Sequence, residues 1–72
     1  MKKTYKLENL GCASCAARME TAIASLDGVN SASISYMSQK LFLDVKDEKF
    51  ESVIEAAVKA CKRIEPDCTI LV

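Results

Sequence analysis

Cys12 and Cys15 stand in the stretch Leu10-Gly11-Cys12-Ala13-Ser14-Cys15-Ala16, between a glycine and a run of small helix formers. A C-x-x-C pair supports three chemistries: a redox dithiol, a disulfide staple, or a grip for a soft metal ion. If a strand turns into a helix here, Cys12 falls in the turn and Cys15 in the first helical turn. The unpaired N–H groups and the positive end of the helix dipole then favour thiolate. The spacing also puts both sulfurs on one side of the turn, within reach of one ion, and Gly11 is expected to let the backbone bend tightly before them. Two thiolates satisfy near-linear Cu(I) or Hg(II), whereas Zn²⁺ or Cd²⁺ wants about four ligands. A lone pair is therefore an incomplete zinc site. Its open positions suit an ion that must be handed onward, because an incoming ligand can attack before the old one leaves.

The remaining composition narrows the choice. The chain has 72 residues and no histidine, which removes the commonest general base and the commonest nitrogen ligand together. No cysteine–histidine nucleophile and no Ser-His-Asp set can be assembled. Ten basic and ten acidic residues cancel, so no basic footprint for nucleic acid exists. No apolar run approaches the roughly 18 residues that cross a bilayer, and the Met1-Lys2-Lys3-Thr4-Tyr5 start lacks the apolar stretch of a signal peptide. The expectation is a cytoplasmic chain without membrane insertion, in a compartment where C-x-x-C signals metal or redox chemistry rather than a disulfide.

The elements that position the pair follow from periodicity. Residues Lys3 to Glu8 alternate, with Tyr5 and Leu7 on one face, as a strand does. From Ala13 to Leu26 the apolar stripe Ala16, Met19, Ile23 and Leu26 predicts a helix, stopped at Asp27-Gly28. Ala32, Ile34 and Tyr36, then Leu41, Leu43 and Val45, mark two strands joined tightly at Ser38-Gln39. Asp47 is placed to cap a second helix carrying Phe50, Ile54, Ala57, Cys61 and Ile64 on one face. Pro66-Asp67 ends it, and Cys68, Ile70 and Val72 share a face of a last strand. The order β-α-β-β-α-β predicts one α+β domain over residues 1–72. It is a ferredoxin-like βαββαβ sandwich, with a four-stranded antiparallel sheet and two helices on one face. That topology brings Cys12 and Cys15 to the same end of the sheet as Glu65, Asp67 and the neighbourhood of Cys61 and Cys68.

Over essentially its whole length the chain resembles the heavy-metal-associated domain, a family of small metallochaperones and cytosolic N-terminal domains of metal-pumping P-type ATPases. The matching residues are C-A-S-C followed by A-A-R-M-E, then L-D-G-V, an alternating strand pair, and a second helix running into a final strand. The family's usual turn is G-M-x-C-x-x-C; Asn9 stands in place of that glycine and Leu10 in place of the methionine that copper-handling members generally keep. The Glu65-Pro66-Asp67 turn and the stretch from Tyr36 to Leu41 resemble bacterial cadmium/zinc/lead-exporting ATPases. The resemblance therefore implies a metal-transfer domain of a longer efflux ATPase. Cys12 and Cys15 would be its ligands, with Glu65 or Asp67 as a third. Its cargo would be Zn²⁺ or Cd²⁺, with Pb²⁺ in the same class, and its partner the membrane-embedded part of the ATPase. Nothing in the chain hydrolyses ATP.

Two rivals stay open at this point. A free-standing Cu(I) or Hg(II) chaperone shares the fold, and a thiol–disulfide oxidoreductase shares the dithiol but would want an aromatic beside Cys12 and a proline opposite it. Plainer roles are expected elsewhere. Cys61 and Cys68 fall on apolar faces as core residues, Met19 is core, Met37 is hairpin surface, Tyr36 packs on the sheet, and the charges from Lys46 to Glu51 are solvated. A two-cysteine site can also be completed by a second copy, giving a metal-bridged dimer.

Overall fold

The computed structural model describes residues 1–71. Strand β1 (Lys2–Glu8) leads through a short loop into helix α1 (Ala13–Ala24); strands β2 (Val29–Ser35) and β3 (Lys40–Val45) form the hairpin, and helix α2 (Phe50–Ile64) leads to strand β4 (Thr69–Leu71). The sheet order is β2-β3-β1-β4, antiparallel throughout. This is the predicted ferredoxin-like sandwich. Its core lies between the sheet and the two helices, where Leu7, Met19, Ile23, Leu41, Val45 and Val53 are almost wholly buried. Each such side chain contributes about 1.5–3 kcal/mol on leaving water.

Register pins which face is which. Lys2 opposes Asp44 and Thr4 opposes Phe42 on the open face, while Tyr5 opposes Leu41 beneath the helices. The edge strand β2 bulges between Val29 and Ser31, and α1 leans on it through Glu20, whose Oε2 accepts the Ile34 N–H at 2.7 Å. After α1 the chain reverses at Gly28 with φ +97°, where a Cβ would stand 2.6 Å from the Lys49 Cβ. Only glycine fits both the conformation and the space.

Several expectations are corrected. Helix α1 ends at Ala24 rather than Leu26. After the Ser25 N–H makes the last i→i−4 bond to the Thr21 carbonyl, the Leu26 N–H bonds the Ile23 carbonyl instead, tightening the chain into a turn; Leu26 still packs against the core from the loop. Asp47 does not cap α2. It opens a single 3-10 turn over Asp47–Lys49 and pairs with the amino terminus at 3.1 Å instead. The buried stripe of α2 is Val53, Ala57, Ala60 and Cys61. Phe50, Ile54 and Ile64 flank it, so the helix sits rotated from the predicted face. Tyr36 lies beyond β2 in the hairpin turn and is exposed. Val72, expected on the inner face of β4, lies outside the described residues.

Candidate metal site

Cys12 is the N-cap of α1, with extended backbone (φ −139°, ψ 118°). Its Sγ accepts the Cys15 N–H at 3.4 Å and lies 3.1 Å from the Ser14 hydroxyl. A sulfur thus fills the place usually taken by a serine or aspartate oxygen. The first turn of α1 carries no acidic residue, so within the helix itself this sulfur answers the positive end. Hydrogen bonds from the Ser14 hydroxyl, the Cys15 thiol and the Cys15 N–H lower the Cys12 pKa to about 7. The Cys15 thiol is raised to about 11, first by its hydrogen bond to Cys12, then by burial, by the Cys12 charge and by the Glu65 carboxylate. As pH rises through about 7 the pair becomes one thiolate, at Cys12, accepting a hydrogen bond from one thiol, at Cys15.

Glu65 reaches the site from the end of α2. Its N–H bonds the Cys61 carbonyl and its carbonyl accepts the Cys68 N–H at 3.0 Å, which fixes the turn into β4. Lys62 braces the same turn, its Nζ 3.1 Å from the Thr69 hydroxyl and 3.5 Å from the Pro66 carbonyl. Glu65 is half-buried and acts on the Cys15 thiol, whereas Asp67 is exposed and has no such influence. Of the two carboxylates expected at this end, Glu65 is the one that influences a cysteine thiol, and Asp67 is exposed. Among the described residues, no three of the cysteines, aspartates and glutamates close on one point as a metal cluster.

Cys61 and Cys68 are core, as their apolar faces predicted: they are 1% and 0% exposed, and the Cys61 thiol donates to the Cys68 carbonyl at 3.5 Å. Burial pushes both thiols up, Cys68 to about 12. They remain protonated where Cys12 is a nucleophile.

The loop before Cys12 is built differently from expectation. Gly11 does not make the bend. It has no positive φ and nothing within 4 Å of where a Cβ would be; Asn9, at φ 62°, makes the turn out of β1. Leu10 is 3% exposed, an anchor beneath the loop. Its backbone is held by a residue that sequence reasoning placed only as a turn. The Gln39 side chain accepts the Leu10 N–H at 3.0 Å and donates to the Leu10 carbonyl at 2.8 Å. No periodicity marks a contact of this kind; the one available signal is a long amide side chain in a tight hairpin.

Comparison with known proteins fits this geometry. The model of the heavy-metal-associated domain matches residues 4–64. A cadmium, zinc and cobalt-transporting ATPase of Helicobacter pylori is 40% identical over 52 residues, 71% of this chain and 8% of that protein. A probable cadmium-transporting ATPase of Staphylococcus aureus is 34% identical over 76 aligned positions, 94% of this chain and 10% of that protein. The chain thus spans about a tenth of the length of these curated relatives. Among solved structures, a CopZ metallochaperone superposes with TM-score 0.78 at 18% identity, covering 99% of this chain and 100% of that one. At that identity the likeness bears on the fold alone.

Proposed function

The chain belongs to the heavy-metal-associated domain family, and from that premise we propose that Cys12 and Cys15 bind a divalent heavy-metal ion and pass it on, with Zn²⁺ and Cd²⁺ the favoured cargo and Pb²⁺ in the same class. One observation carries the reading: a thiolate at the N-cap of α1, beside a second thiol that a carboxylate faces. The Cys12 sulfur, the more readily ionised of the two, engages the incoming ion first. Cys15 then releases its proton as the positive charge arrives. Glu65 adds a hard oxygen donor at the same end of the sheet, which suits a divalent ion and adds nothing for Cu(I). The site stays open on the side of Ala13 and Ser14, both exposed, so an acceptor's ligands reach the ion directly.

The relatives matched at 34% and 40% identity are named for cadmium transport, which supports the same cargo. The partner is then the membrane-embedded part of a P-type ATPase, with this domain on the cytosolic face; the domain is a metal-binding module and the pumping belongs to the rest of such a protein. Among the described residues no helix is long and apolar enough to cross a membrane. A second reading, a Cu(I) or Hg(II) carrier, is favoured by the fact that, among the described residues, two cysteine sulfurs come together and no third ligand closes a cluster around them.

Competition titrations of the reduced protein with Zn²⁺, Cd²⁺ and Cu(I) separate the two. Glu65→Ala is expected to weaken Zn²⁺ and Cd²⁺ and leave Cu(I) nearly unchanged; equal losses for all three ions would remove the carboxylate argument and leave the two-thiolate carrier.

A further inference from the structure

We infer that Gln39 is the positioning residue of the metal loop, holding the backbone before Cys12 in the geometry that presents the two sulfurs together. The inference rests on the metal-binding reading of Cys12 and Cys15 and adds to it a residue that touches neither sulfur.

Three observations converge on this amide. Gln39 closes the β2–β3 hairpin with φ 55°, one of two non-glycine residues at positive φ among those described. A glutamine held in the left-handed region is strained relative to ordinary backbone, and such conformations persist where the surrounding structure holds them for a function. Its side chain is fully used. Oε1 accepts the Leu10 N–H at 3.0 Å, and Nε2 donates both to the Leu10 carbonyl at 2.8 Å and to the Tyr36 carbonyl at 2.9 Å. Finally, its own carbonyl accepts the Leu7 N–H at 2.8 Å, continuing the β1–β3 ladder past its last pair. One residue therefore ends the strand pairing with its backbone and clips the loop beyond it with its side chain, much as a further strand residue would.

The consequence lies two residues on. Asn9 turns the chain out of β1, and Leu10 is buried beneath the loop with both peptide groups tied to Gln39. Gly11 has open space around it, so nothing at that position restrains the chain. The direction in which Cys12 enters α1 is set by the clamp on Leu10. With it, Cys12 and Cys15 are pre-arranged before an ion arrives; without it, ion binding must order the loop.

The test compares the full chain with Gln39→Ala and Gln39→Asn. Asparagine is at home at positive φ but is one carbon too short to span both Leu10 groups and Tyr36. Both variants are expected to keep the wild-type circular dichroism, lose hydrogen-exchange protection at the Leu10 amide, and bind Cd²⁺ about tenfold more weakly in a chelator competition, the effect of losing one or two loop hydrogen bonds. Cadmium binding by Gln39→Asn or Gln39→Ala equal to that of the unsubstituted protein would overturn the inference alone. An unsubstituted protein that binds no Cd²⁺ would overturn the proposed function and this inference with it.

Discussion

Acidification should cost the site its ion in a way fixed by the two unequal thiols. With Cys12 at about 7 and Cys15 at about 11, binding a divalent ion displaces one proton above neutrality and two below it. The logarithm of the affinity should therefore fall with a slope of about one between roughly pH 9 and pH 7, steepening toward two below. Over about three pH units, from roughly pH 9 to pH 6, this amounts to a loss of about ten-thousandfold. The assay is competition for Cd²⁺ against a chelator of known protonation, read by the thiolate-to-cadmium ultraviolet absorption at several pH values. Ser14→Ala removes the largest contribution that lowers Cys12 and should move the break in slope upward. A uniform slope of two from about pH 9 downward would refute the reasoning. It would mean that the N-cap sulfur is an ordinary thiol and that its hydrogen bonds do not prepare it.

The metal-free protein should gain stability as pH rises from about 7 toward the ordinary thiol range. Cys12 has a lowered pKa, so its contribution is present above its unfolded value and lost as pH falls through about 7; Cys15 is raised, so its own contribution is lost as pH climbs through about 11. Urea unfolding across this window should show an optimum between the two, and stability independent of pH from about 7 to 9 would contradict it. Gly28→Ala should destabilise by about 2–4 kcal/mol, combining positive φ with overpacking against Lys49; the same unfolding assay reads it. Alkylation of the native reduced protein near neutral pH should modify Cys12 rapidly and Cys15 slowly, while Cys61 and Cys68 react only on unfolding. Cys68→Ala should cost about 1–2 kcal/mol of stability with the Cd²⁺ stoichiometry unchanged.

The architecture was legible because each element advertises its period: two for Tyr5 and Leu7 or Leu41, Leu43 and Val45, and three to four for Ala16, Met19 and Ile23. The rotation of α2 was not, since Phe50, Val53 and Ile54 are all apolar and only packing decides which of them points inward. Asp47 had the right type for a cap, but the amino terminus competes for its carboxylate. At the site, the spacing and helix-start position of Cys12 and Cys15 were enough to find them. Gly11 misled because glycine is the default residue for a bend, and here an asparagine makes it. Gln39 stayed invisible because its contact with Leu10 joins residues 29 positions apart through a side chain, and no local pattern encodes that.

The carboxylate of Glu20 has a second meaning once β2 is seen as an outer strand of the sheet. An outer strand exposes backbone donors on which another chain can add, the common route to edge-to-edge aggregation. The Ile34 N–H is one such donor, and a side chain of the same domain already occupies it. The helix whose start holds the cysteine pair thus also blunts one of the sheet's two outer margins at Ile34. Removing that acceptor would return one backbone donor of β2 to any chain lying alongside it.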